Sequence, residues 1–171
     1  MKGLAMGCVS AALLVGVGPA SAQSEDANAH LPAVFSALDG TWSDTGTLMG
    51  RPASCEMEWK ILDGGFVELN FTNAFVDASG AVTPVLQARA LYRPSGTTAI
   101  GVWIDTRPQR IQLESEISQS AVITTWTAAT DRGRTEYRIE DGGLTVRDYV
   151  EADGEIRLFG EAHYTRVNGG I

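Results

Sequence analysis

The chain has 171 residues, a formal net charge of −8 and a pI near 4.7, with 20 % charged residues. An acidic balance of that size argues against nucleic acid or an anionic membrane surface as the main partner. Two cysteines (Cys8, Cys55) and two histidines (His30, His163) are too few for a disulfide framework or a structural zinc centre, so no metal is expected.

The chain opens with an export pattern. Lys2 supplies a positive start, residues 4–17 form an apolar stretch too short to span a bilayer, and Ala20-Ser21-Ala22 is a small-residue cleavage site. The expectation is a signal peptide over residues 1–22, cleavage near Ala22, and a periplasmic or secreted mature protein. Its remaining length, roughly 150 residues, suffices for one domain with a core. Residues 23–30 are polar and read as a flexible tether, and residues 31–171 as a single domain. Within the mature chain Cys55 stands alone and reads as a buried apolar filler.

Residues 31–38 place Leu31, Val34, Phe35 and Leu38 at spacings of three and four, which predicts a short helix able to cap a barrel mouth. From Gly40 onward the period changes to two. Cys55, Met57, Trp59 and Ile61 alternate with Glu56, Glu58 and Lys60, and Val67, Leu69 and Phe71 with Glu68, Asn70 and Thr72. Further on, Leu86, Ala88, Ala90 and Tyr92 alternate with Gln87, Arg89 and Arg93, and residues 98–105 are apolar on both faces. Ile111, Leu113 and Ile117, the β-branched run around Trp126, then Thr135, Tyr137 and Ile139, and Leu144, Val146 and Val150 continue the pattern to a last strand ending at residues 164–166. Turns fall at Asp63-Gly64-Gly65, residues 77–80 and Pro94-Ser95-Gly96, with tight hairpin signals at Asp141-Gly142 and Asp153-Gly154. Successive alternating strands joined by short turns predict an all-β fold: an up-and-down antiparallel closed barrel of about ten strands with a short N-terminal capping helix. An open sandwich is the alternative.

Gly40-Thr41-Trp42 near the start, with Arg166 near the end, resembles the calycin group, the lipocalins and fatty-acid-binding proteins and their relatives. Without a disulfide or the further lipocalin motifs, the chain looks more like small bacterial lipocalin-like domains than a typical lipocalin. That resemblance implies a closed barrel end in which Arg166 packs over the Trp42 indole as a structural cation–π contact. Residues 40–46 also partly resemble the opening of the nitrobindin haem barrels, which bind haem through a C-terminal histidine. Here Asp44 replaces a glycine of that pattern, and parity puts His163 on the opposite face from Ala162, Tyr164 and Arg166. No cofactor is therefore expected, with haem at His163 the alternative.

Parity also selects the lumen candidates Trp59, Tyr92, Trp126, Tyr137 and Asp148. The aromatics serve equally as core or as cavity lining, and Ala88 and Ala90 leave room beside them. Asp148 shares a face with Leu144, Val146 and Val150, and a buried carboxylate needs a partner or a ligand. Glu56/Glu58 and Glu114/Glu116 fall on outer faces, and no nucleophilic triad, phosphate loop or metal cluster is visible. The expected function is a non-enzymatic, exported barrel binding a small apolar or amphipathic molecule. The rivals are an enzyme using Asp148 and Tyr137, a nitrobindin-like haem binder, and a solid barrel serving as an envelope assembly partner.

Overall fold

The structure, a computed structural model, describes residues 31–48, 50–107 and 109–167. The expected signal peptide and tether, and His30, lie outside the described residues. A short helix α1 (Ala33–Leu38) precedes ten strands: β1 (Gly40–Leu48), β2 (Arg51–Leu62), β3 (Phe66–Val76), β4 (Val82–Ser95), β5 (Thr98–Asp105), β6 (Arg110–Ile117), β7 (Ala121–Thr127), β8 (Arg132–Glu140), β9 (Gly143–Ala152) and β10 (Glu155–Arg166). Each strand pairs antiparallel with its neighbours in sequence, and β1 pairs with β10 to close the barrel. The all-β, up-and-down closed barrel with one short preceding helix is thus the architecture the alternation predicts, and the open sandwich is not formed.

Local chemistry explains the joints. At Asp141-Gly142 and Asp153-Gly154 both residues take positive φ, 51° and 79° in the first pair and 54° and 79° in the second. Two consecutive left-handed residues give the turn twist that matches flanking right-twisted strands. The helix begins only after Pro32, whose extended conformation (ψ 137°) keeps Leu31 out of it. It buries Val34, Phe35 and Leu38 against the barrel end.

The strands divide the barrel into two halves along its axis. At the end covered by α1, inward residues are fully buried: Met57, Trp59, Val67, Leu69, Ala90, Tyr92, Val122 and Leu144. Toward the other end, marked by the β3–β4, β5–β6 and β9–β10 turns, several inward residues, among them Phe71, Ala88, Trp103, Trp126 and Asp148, are only half-buried, while Ala53 and Ile111 stay buried. β10 carries a bulge between Leu158 and Gly160, opposite Tyr149 and Asp148 of β9. The seam is short: the paired register between β1 and β10 holds Trp42↔Arg166 and Ser43↔Thr165 alone.

Candidate functional site

The closed end is built around Trp42. Its indole N–H donates to the Leu38 carbonyl at 2.7 Å, which ties β1 to the end of α1. The Arg166 guanidinium lies 4.3 Å from the Trp42 ring centre. It also donates to the Ala37 carbonyl at 2.5 Å and to the Asp39 carbonyl. Arg166 therefore satisfies carbonyls that the helix end leaves open while covering the indole face.

Above this plug sits a second layer of aromatics. Trp59 stacks on Tyr92 (centroids 5.8 Å apart, 23°), meets Tyr137 edge to face (5.1 Å, 85°), and touches Phe35 of the helix at 6.3 Å. The Tyr92 hydroxyl shares hydrogen bonds with Tyr137 and Thr124, and the Thr124 and Ser115 hydroxyls lie 2.9 Å apart. Burial pushes the Tyr92 hydroxyl up to about 12, opposed by hydrogen bonds from Thr124 and Tyr137, and raises Tyr137 well above its ordinary value. Both phenols are therefore neutral at physiological pH. The buried Trp59 indole N–H has no hydrogen-bond acceptor in the protein. Three of the five lumen candidates, Trp59, Tyr92 and Tyr137, thus form one contiguous floor rather than separate wall positions.

The other two, Trp126 and Asp148, sit in the half-buried half. Trp126 lies flat on the wall because its cross-strand partner is Gly133. A Cβ on Gly133 would fall 2.4 Å from Trp126 Cζ2 and 2.1 Å from the Tyr149 carbonyl oxygen, so no other residue fits there. Asp148 accepts from Thr135 Oγ1 at 2.7 Å. Burial raises its carboxyl above the ordinary range, opposed by the Thr135 bond. Its partner is Thr135, directly opposite on β8. Gly160 stands across from Asp148 on β10 and leaves the carboxylate uncovered on that side.

Sequence reasoning left several residues of this half unassigned. Trp103, whose direction the two-faced apolar run of β5 hid, points inward and tilts against Phe71 at 5.9 Å. Its indole donates to Asp105 at 2.9 Å, and the Asp105 side chain is fully buried under Arg107. Burial would raise the Asp105 carboxyl, but the hydrogen bonds from Arg107 and Trp103 outweigh it and hold it below its usual value. The Asp-to-Trp step of two along one strand is the signal that reveals this pair. Asn73, level with Cys55 on β2, holds a buried Oδ1 without a donor. Cys55 is half-buried beside Tyr164, and burial, then Asp44, raises its thiol, so it is not a reactive thiolate. His163 projects outward, with Nδ1 3.2 Å from Thr145 Oγ1 and Nε2 3.3 Å from Glu161.

The half toward the turns therefore brings together flat aromatics, small residues and acceptors, several of them only half-buried. One open concavity of about 440 Å³ spans β3–β5, where outward Asn70, Thr72 and Arg89 meet inward Phe71, Ala88 and Asp105, and another of about 460 Å³ lies across β5–β8. Among the described residues no group of three or more His, Cys, Asp or Glu side chains is placed to hold a metal ion. Neither a protein-family model nor a curated protein matches this chain.

Proposed function

We propose that this protein is an exported, non-enzymatic barrel of calycin-like build that holds one small apolar or amphipathic molecule in its open half. The observation that carries the reading is the change of burial along the lumen. Phe71, Ala88, Trp103, Trp126, Asp148 and Gly160 all face inward from different strands, and all are half-buried, while the aromatic floor beneath them is closed. An inward side chain that water reaches borders space, and a ten-stranded barrel is wide enough for one small ligand.

The lining sets the ligand class. Trp103, Phe71 and Trp126 offer flat apolar faces, and Asp148 and the unpartnered Asn73 Oδ1 offer acceptors. A molecule with an apolar body and one hydrogen-bond donor or positive group complements this arrangement; a simple fatty acid sets its carboxylate against Asp148. The floor of Trp59, Tyr92 and Tyr137 fixes the depth. Trp42 and Arg166 act below it as closure rather than as ligand contacts, as in calycin barrels. Export is supported by Lys2, the apolar residues 4–17 and Ala20-Ser21-Ala22.

The test is displacement of a fluorescent apolar probe, read with neutral and amine-bearing competitors. Ala88→Leu fills the open half and weakens binding at least roughly tenfold, a change of about 1.4 kcal/mol. Asp148→Asn weakens the amine competitors selectively. If neither wild type nor Asp148→Asn binds any probe at micromolar concentration, the carrier reading gives way to a barrel that works through its outer surface.

A further inference from the structure

The outer wall of β5 breaks the rule that a barrel's exterior is polar. Its outward residues are Thr98, Ile100, Val102 and Ile104, and Ile100 is 65 % and Ile104 57 % exposed. Leu91 of β4, 38 % exposed, lies directly beside Val102 in the register, so the aliphatics form one stripe rather than scattered points. A groove flanks it at each end: Ile104 borders one and Ile100 the other.

The charges around the stripe are arranged as distinctively as its apolar centre. Many cations of the wall are matched: Lys60 with Glu58, Arg89 with Glu68, Arg132 with Glu151, Arg134 and Arg138 with Glu136, Arg147 with Glu161. Beside Ile100 the charges are not. Arg93 on the β4 side and Glu114 and Glu116 on the β6 side form no ion pair among the described residues. Register puts Arg93 level with Ile100 on one flank and Glu114 level with Ile100 on the other.

We infer that this face is an isologous interface between two copies of the chain. A two-fold axis running along β5 lays β4 of each copy over β6 of the other. Arg93 then meets the second copy's Glu114, twice by symmetry, with the stripes of Ile100, Val102 and Ile104 packed between them. Arg110 approaches Arg89 in this arrangement, but Arg89 already carries Glu68 as its counter-ion. A patch of this size gives a weak, concentration-dependent dimer rather than an obligate one. The lumen mouth stays free in both copies, because the interface lies on the side wall.

Sedimentation of the purified protein over a concentration series tests this. Wild type is expected to shift from monomer to dimer. Ile100→Lys, on an exposed side chain and so compatible with folding, is expected to stay monomeric with an unchanged far-UV spectrum. Arg93→Glu and Glu114→Arg each weaken association by roughly tenfold or more, and the double reversal Arg93→Glu/Glu114→Arg restores it. A wild type that is monomeric at every concentration, or that instead floats with neutral phosphatidylcholine vesicles, overturns the inference. So does a dimer indifferent to Ile100→Lys, or a double reversal that fails to recover.

Discussion

Replacing Trp42 by alanine tests the closed end most directly. The side chain is 2 % exposed, and three kinds of contact end with it. Its apolar body fills the plug above α1, and truncating a large buried aromatic costs about 3–5 kcal/mol, including the cavity left behind. Within that total, the N–H bond to the Leu38 carbonyl accounts for about 1 kcal/mol. The seat it gives Arg166, 4.3 Å from the ring centre, adds about 0.5–1 kcal/mol at this exposed guanidinium. Trp42→Phe keeps most of the area and loses the indole N–H, so its cost falls to about 1–2 kcal/mol. Urea denaturation followed by far-UV circular dichroism measures both, since secondary structure reports on the barrel whichever tryptophan remains. The ordering alanine, then phenylalanine, then wild type is expected. A loss below about 1 kcal/mol for Trp42→Ala would show that the plug is not what closes the barrel.

Two other perturbations have outcomes fixed by geometry. Gly133→Ala forces a methyl into the Tyr149 carbonyl and the Trp126 ring; backbone cannot yield cheaply, so a loss of at least about 1–3 kcal/mol is expected, with a red-shifted Trp126 emission, and an unperturbed spectrum refutes the wall seat assigned to this indole. Asp148 is held by burial above its ordinary pKa, so between the unfolded and folded values the native state binds the extra proton and stability falls as pH rises through that window; Asp148→Asn removes that fall, and its urea midpoint relative to wild type should climb across the window rather than stay level.

The barrel was legible because its determinants are local. Alternation at period two reports which face a residue takes, and Asp-Gly pairs report where the chain reverses, so β5 begins and ends where its pattern does, at Thr98 and Asp105. The predicted bounds fail where pairing, not pattern, decides. β4 starts at Val82, ahead of the alternation that becomes visible at Leu86, because Val76↔Val82 pairing carries it past Pro84. The site was less legible. Parity gives the face but not the depth, so Trp59 and Trp126 looked alike, although one lies in the floor and the other beside the open half. Trp103 was hidden because β5 is apolar outside as well as inside, for a reason that belongs to the outer surface.

The two-rung seam between β1 and β10 sets where this molecule comes apart. Every other junction in the barrel zips hairpin neighbours along six or more registered pairs, whereas this one joins residues more than a hundred positions apart in sequence through Trp42↔Arg166 and Ser43↔Thr165. Closing so long a loop is the costliest contact entropically and comes late in folding. The same junction is the first to unzip under thermal fluctuation, so the amides of residues 165–167 should exchange with solvent faster than those of the β2–β3 hairpin. Arg166, clasping both the indole and the helix end, is then the latch that keeps an otherwise seamless cylinder from unrolling into a sheet with two free edges.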